Sequence, residues 1–266
     1  MAVNWAMMSN WDRVLPPSRP DIDELDRIVS HIRLYQPVRA AVLGSTPEFC
    51  DLLVRLGVET TVLDRNFEFH TRSLRWRAWP GYVDLVLGDW LDSLPTLSGK
   101  FDLLLSDLTS GNIPYDDRER FYEAVGSALA PGGHFFDKVL TNEAPLTTLA
   151  YIEQKYSRLP LNLRTTNDFS CEAVFCSEIQ LAAEVVDTTQ TYARLMRDIP
   201  TRSMEAFVRE AQRITPSGNL WYYGRDWPAL EKGYCRSLKL IEKNRVNVGG
   251  PYDGRAFQYL WKKGTK

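Results

Sequence analysis

Residues 40–66 read AAVLGSTPEFCDLLVRLGVETTVLDRN. An apolar run enters a turn at Gly44, a helical pattern follows, and a second apolar run ends on Asp64. This is the outline of a βαβ unit, two parallel strands joined by a crossover helix. Pro47 stands near the first turn of the helical stretch and Gly57 just past its end, the asymmetry expected of a helix. The turn holds one glycine, where dinucleotide-binding turns hold two or three.

Reading outward from this unit, strands and helices alternate. Asp21 is placed as the N-cap of an amphipathic helix, IDELDRIVSHIRLY, with Ile22, Leu25, Ile28, Val29 and Ile32 on one face. Strands are predicted over 38–44, 59–64, 82–90, 100–109 and 134–140, with helices over FEFHTRSLRWRA and DDRERFYEAVGSALAPGG, the latter stopped by its APGG. Such alternation implies right-handed crossovers and a doubly wound, Rossmann-like α/β sheet. From 141 to 225 it gives way to helical patterns, among them CEAVFCSEIQLAAEVV, ending in the aromatic cluster NLWYYGRDW. WPALEKGYC then reads as a helix, and strands over 236–246 and 256–263 flank the Gly-rich NVGGPYDGR as a hairpin. The expected organisation is an N-terminal arm and cover helix (1–36), a core (37–140 and 226–266), and a helical insertion (141–225) between strands five and six.

Composition narrows the function classes. The chain of 266 residues is 44% hydrophobic and 25% charged, enough to bury a large α/β core. A net charge of −2 offers no general attraction for nucleic acid or an anionic membrane, and no stretch reaches the ~18 apolar residues of a span. The start, MAVNWAMMSNWDRV, lacks a basic, apolar leader, so a cytoplasmic location is expected, and a homodimer is compatible with it. Cys50, Cys171, Cys176 and Cys235 form no CxxC pair, and His31, His70 and His134 are scattered. Reduced thiols and no metal site are therefore expected.

In doubly wound sheets ligands sit beyond the carboxyl ends of the strands. Four strand ends carry polar residues there: Gly44-Ser45-Thr46, Asp64 twenty residues on, Asp89-Trp90, and Asp107. A lone acid ending a strand is more often a helix cap than a ligand contact. Three in succession, at 64, 89 and 107, on one edge of one sheet are the informative feature. Pyrophosphate cofactors favour several glycines, and the GK[ST] of a P-loop is absent. One glycine with several carboxylates suits a ribose joined to a cationic group, as in S-adenosylmethionine.

At this point the sequence resembles the class I S-adenosylmethionine-dependent methyltransferases. AAVLGSTPE with TTVLDRN resembles a branch in which a G-x-T-P-E turn replaces the glycine-rich loop. LVLGDW, FDLLLSDLTSGNIPY, ALAPGGHFF and the closing hairpin (LEKGYCRSLKLIEK, GRAFQYLWKK) are similar to the family's later segments. The resemblance implies a seven-stranded, mostly parallel sheet of order 3-2-1-4-5-7-6 with the last strand antiparallel. Carried over to this sequence, Gly44, Ser45 and Thr46 would contact the methionine moiety, and Asp64, with Arg65 beside it, the ribose. Asp89 and Trp90 would frame the adenine, and Asp107 would face the methionine end.

Methyl transfer from a sulfonium needs positioning more than a dedicated base. Candidates near the acceptor are Asp107, Thr109, Asn112 and Tyr115, with Asp107, Asn112 and Tyr115 placed in the catalytic role. His134 is read as structural and Lys138 as a snorkelling surface lysine. The insertion, with Arg225 and Asp226, is expected to cover a small-molecule acceptor, and the arm to cover the cofactor through Trp11 or Arg19. The basic-aromatic run RSLRWRAWPGY (72–82) is the sole pointer to RNA. The alternatives are a catalytically silent binding or scaffold protein, an RNA methyltransferase and an NAD-dependent oxidoreductase.

Overall fold

A computed structural model describes residues 10–79, 81–141, 145–182, 185–222 and 236–264. The strands in chain order are β1 (Arg39–Leu43), β2 (Glu59–Asp64), β3 (Asp84–Leu87), β4 (Phe101–Asp107), β5 (Leu129–Leu140), β6 (Val186–Asp187), β7 (Leu220–Trp221), β8 (Leu238–Arg245) and β9 (Ala256–Lys263). Seven of them form one sheet in the order β3-β2-β1-β4-β5-β9-β8. β1 to β5 pair in parallel, and β9 closes an antiparallel hairpin with β8. The last strand of the chain thus lies inside the sheet beside β5, as the 3-2-1-4-5-7-6 order requires.

The central strands read as nearly unbroken apolar runs because both faces of the sheet are covered. Ala40, Val42, Val62, Leu103 and Leu105 pack on Ile28, Ile32, Phe49 and Leu53 of α1 (Ile22–Tyr35) and α2 (Pro47–Arg55). Ala41, Leu43, Leu63 and Leu104 pack on Leu94, Phe121 and Val125 of α4 (Trp90–Thr96) and α5 (Arg118–Ala128). The alternation of 40 and 42 against 41 and 43 is the period of two that sends neighbouring side chains to opposite faces. α1 starts at a capping box: the Asp21 carboxylate accepts from the Glu24 amide, and the Glu24 carboxylate accepts from the Asp21 amide. α3 (Phe67–Ser73), capped by Asn66, runs on into a 3-10 turn over Leu74–Trp76.

Two elements depart from the sequence reading. The APGG segment does not end in a turn before β5; it lies inside that strand. β5 pairs Leu129 with Phe101 and next pairs His134 with Leu103, so Pro131, Gly132 and Gly133 are accommodated in a bulge. A Cβ on Gly133 would sit 2.9 Å from the Ala130 carbonyl oxygen and 3.2 Å from that of Asp102, both immobile backbone. Gly133→Ala is therefore expected to cost about 1–3 kcal/mol, the range of overpacking, seen as a lower urea midpoint at unchanged slope. The insertion, second, is not helical throughout. CEAVFCSEIQLAAEVV becomes a π-helical turn (Ser170–Phe175), a 3-10 stretch (Glu178–Ala182) and the short β6. Asp187 accepts from the Thr189 and Gln190 amides and starts α8 (Thr188–Asp198) there, so the pattern breaks at a cap.

Contacts divide the chain into two units. One holds described residues 19–139, 236–245 and 257–264, and with them the sheet. The other holds described residues 10–18, 140–222 and 246–256. In its core Tyr156 of α6 (Leu149–Tyr156) meets Phe169 of α7 (Leu163–Phe169) and Phe207 of α9 (Arg202–Ile214) edge to face. Residues 10–18 are pinned within that unit: Trp11 is buried, Arg13 pairs with Glu210, and the Leu15 amide donates to Asn167. The N-terminal arm therefore parts between Ser18 and Arg19, with α1 on the sheet side. WPALEKGYC, Cys235, Arg225 and Asp226 lie outside the described residues. Among the described residues no helix is long and apolar enough to cross a membrane.

Candidate functional site

The carboxyl edge of the sheet is built from the ends of β1 to β4. Gly44 takes φ +90°, a left-handed conformation that L side chains avoid, and its amide donates to the Leu63 carbonyl at 2.9 Å. The same carbonyl accepts from the Trp90 indole at 2.8 Å. A Cβ on Gly44 would meet Trp90 at 4.0 Å, ordinary contact, so conformation rather than crowding explains this glycine. The turn places Ser45 beside Asp64, and the Ser45 hydroxyl donates to Asp64 Oδ2 at 2.7 Å. The Asn66 amide donates to Asp64 Oδ1 at 2.9 Å. Burial pushes the Asp64 carboxyl up from its ordinary value, against the pull of these hydrogen bonds. They take two of the roughly four acceptor positions of a carboxylate and leave capacity for a ligand hydroxyl.

His70, on α3, brings Nδ1 within 3.2 Å of the Ser45 hydroxyl. Burial pushes its imidazole down from the ordinary value, with Asp64 pulling the other way. The sequence reading left His70 among scattered histidines. The available signal was its place one turn beyond the Asn66 cap, on the helix that follows Asp64. Thr46 is buried as the N-cap of α2 and makes no side-chain capping bond. Asp89 caps α4 through the Leu91 amide, and Arg65 lies 3.8 Å from its other oxygen. Both side chains of that pair are about 40% exposed, at 42% and 40%, so it adds little to stability and can be displaced.

At the next strand end β4 and β5 stand in register with Ser106 opposite Asp137 and Asp107 opposite Lys138. Lys138 is not the surface lysine expected from the sequence. It is 1% exposed, and its ammonium lies 3.0 Å from Asp107, 3.1 Å from Glu24 and 3.1 Å from the Arg19 carbonyl. Those neighbours match its three protons. The two carboxylates outweigh the burial that would otherwise lower the lysine, and the group is raised. Arg19 pairs through its guanidinium with Glu48 on α2.

Beyond Asp107 the chain turns sharply at Leu108, whose φ of +58° is unusual for a branched residue. The Leu108 amide donates to the Lys138 carbonyl at 3.0 Å, and the Thr109 hydroxyl donates to the Leu43 carbonyl at 2.8 Å. Thr109 thereby ties the β4 loop to the strand that carries Gly44. Ser110 is fully buried, and its hydroxyl has no hydrogen-bond partner among the described residues. Asn112 and Tyr115 are half-buried, and the Tyr115 ring lies 4.9 Å from the Arg118 guanidinium.

The structure thus gathers Gly44, Ser45, Asp64 and Trp90 at one corner, links Asp89 to Arg65, and ties Asp107 and Thr109 to β1 and β5. His134 belongs to the other end of β5, packed edge to face on His31 with ring centroids 4.5 Å apart. Asp137 is buried among Ser106 (2.8 Å) and Tyr122 (2.6 Å), within the core. Cys50, Cys171 and Cys176 are buried and form no disulfide among the described residues, and burial pushes Cys50 up to about 12, which removes its reactivity near neutral pH.

Solved structures share this architecture. A protein from Clostridium acetobutylicum described as an S-adenosylmethionine-dependent methyltransferase superposes with TM-score 0.55 at 14% identity, over 96% of this chain and 97% of that one. One from Methanosarcina mazei, described in the same terms, gives 0.52 at 13% over 86% and 93%. A protein from Rhodobacter sphaeroides named as a Zn-dependent alcohol dehydrogenase gives 0.55 at 14% over 98% and 99%. Dinucleotide-binding sheets run in the parallel order 3-2-1-4-5-6, whereas here an antiparallel strand lies between β5 and the edge.

The chain has the class I methyltransferase fold. Identities this low carry the fold alone. No protein-family model matches the chain, and no curated protein matches it. Among the described residues of this methyltransferase-like sheet, no group of three or more His, Cys, Asp or Glu is arranged to hold a metal ion, such as a zinc centre needs.

Proposed function

We propose that the protein is an S-adenosylmethionine-dependent methyltransferase acting on a small molecule. The observation that carries this reading is the set of carboxylates at or just beyond the ends of β2, β3 and β4, Asp64, Asp89 and Asp107, on the sheet edge that also holds a turn with a single glycine. That edge favours hydroxyls and positive charge over phosphates. The buried Ser110 hydroxyl, without a hydrogen-bond partner among the described residues, adds a polar atom in the loop after Asp107. The residues therefore fit an adenosyl sulfonium. When bound, it supplies an already activated methyl group.

In this reading Asp64 accepts from the ribose hydroxyls while Ser45 and the Asn66 amide hold its carboxylate in place. Trp90 and Asp89 flank the base, and Asp107, steadied by Lys138, faces the amino-acid end. Asn112 and Tyr115 line the acceptor side and act by orientation. A small-molecule acceptor is favoured because the basic-aromatic run is not a free cationic track. Arg72 pairs with Glu68, and Arg77 pairs with Asp51 at 2.8 Å. A cytoplasmic location and a homodimer belong to the same proposal.

One observation favours a second reading, a binding protein without turnover: each of the three carboxylates already has internal partners. Thermal unfolding with S-adenosylmethionine, S-adenosylhomocysteine and NAD in parallel tests cofactor choice. A specific ligand at about 100 times Kd adds ~2.7 kcal/mol and raises the midpoint by roughly 5–10 °C in a chain of this size. A shift with NAD alone would sink the proposal. Asp64→Asn is expected to weaken S-adenosylmethionine binding about 10–100-fold in calorimetry, the loss of a charge-assisted hydrogen bond. Unchanged affinity would remove Asp64 from the site. Mass analysis of an acceptor screen then separates turnover from silent binding.

A further inference from the structure

The capping box at the start of α1 explains just one of the Glu24 carboxylate oxygens. Oε2 accepts from the Asp21 amide at 3.0 Å and from Lys138 at 3.1 Å. Oε1 is buried and has no hydrogen-bond partner among the described residues, in a side chain that is 0% exposed. A buried carboxylate oxygen without a donor is costly when ionised. The charges around it come from named elements. β5 supplies Lys138, β4 supplies Asp107, and the start of α1 supplies Asp21.

With both carboxylates ionised, Glu24, Asp107 and Lys138 carry one net negative charge in a buried space. With Glu24 protonated they carry none. Burial pushes Glu24 up to about 7, with Asp107 adding to the rise and Lys138 opposing it. A positive charge arriving at Asp107 changes this balance, because it offsets the charge that disfavours ionised Glu24.

We propose that Glu24 is a charge-sensing positioning residue of the cofactor site: a cationic ligand seated at Asp107 binds together with ionised Glu24, so binding releases a proton. The inference rests on the cofactor reading given above and adds to it a residue from outside the strand ends. The linkage has a definite sign. The ligand prefers the deprotonated state, so affinity rises with pH until Glu24 is ionised in the free protein as well.

The test is calorimetric titration of S-adenosylmethionine into the full chain at neutral pH, in two buffers of different ionisation enthalpy, and again across a pH series. About half a proton is expected to be released per ligand near pH 7, and affinity is expected to rise about tenfold from about pH 6 to about pH 8. Glu24→Gln keeps an acceptor for the Asp21 amide, as capping boxes allow, and should abolish both the release and the pH dependence. Should that variant not fold, infrared difference spectra of the wild type must lose a protonated-carboxyl band on binding. Binding with no proton release, or with release that persists in Glu24→Gln, overturns the role of Glu24 and leaves the cofactor reading standing. No binding at any pH overturns both.

Discussion

Lys138→Met is expected to destabilise the protein by about 3–5 kcal/mol, the cost of removing one partner from a buried ion cluster. The mutant side chain fills the methylene space of lysine but leaves Asp107 and Glu24 facing each other without the ammonium that lies 3.0 and 3.1 Å from them. The nearby Arg19 contributes its carbonyl to Lys138 and its guanidinium to Glu48. Urea unfolding at neutral pH measures the loss as a lower midpoint. Adding Asp107→Asn to Lys138→Met should recover part of it, the non-additivity of residues that share a partner. A loss below about 1 kcal/mol would return Lys138 to the class of solvated lysines.

The second large effect concerns pH. Asp137 is fully buried, and burial pushes its carboxyl up to about 7, against the hydrogen bonds from Tyr122 and Ser106 and the nearby Arg118. Between its ordinary value of 3.8 and about 7 the folded state holds this proton and the unfolded state does not. Stability contributed by the protonated group is therefore complete below the unfolded value and is lost as pH rises through the folded one. The change is on the order of 4 kcal/mol. Asp137→Asn keeps an acceptor for Tyr122 and has no titration. The wild type is thus expected to lose stability relative to this variant as pH rises from about 4.5 to about 8. Glu24 adds a slope of the same sign. Unfolding curves of both proteins across that range decide it, and a difference that stays flat would show Asp137 ionised in the fold.

The elements that the chain announced were those set by local chemistry. Asp21 as a cap before an amphipathic run, Pro47 with Gly57, and the nearly unbroken apolar runs of β1, β2 and β4 each state their structure within a few residues. β9 was placed at residues 256–263 because its partner lies a hairpin away. The APGG bulge was misread because proline and glycines also mark a turn. Only the opposing carbonyls of Ala130 and Asp102 show why the strand continues through Gly133. In the insertion, an apolar run fitted a helix by period, yet the cap at Asp187 and burial of the whole Ser170–Phe175 stretch broke it into shorter pieces.

The candidate site divides along the same line. One glycine, three acids at successive strand ends and an aromatic after the third strand are a one-dimensional pattern, and sequence alone determined that these residues share the carboxyl edge. What they touch there was settled by tertiary structure. Ser45 and His70 meet at Asp64, Trp90 meets the Leu63 carbonyl, and Lys138 meets Glu24 across 114 residues. A strand's period says which way a side chain points, but not which charge waits opposite it. Whether a lysine is solvated or sealed between two carboxylates depends on which helix crosses that strand, and only the packed fold decides that.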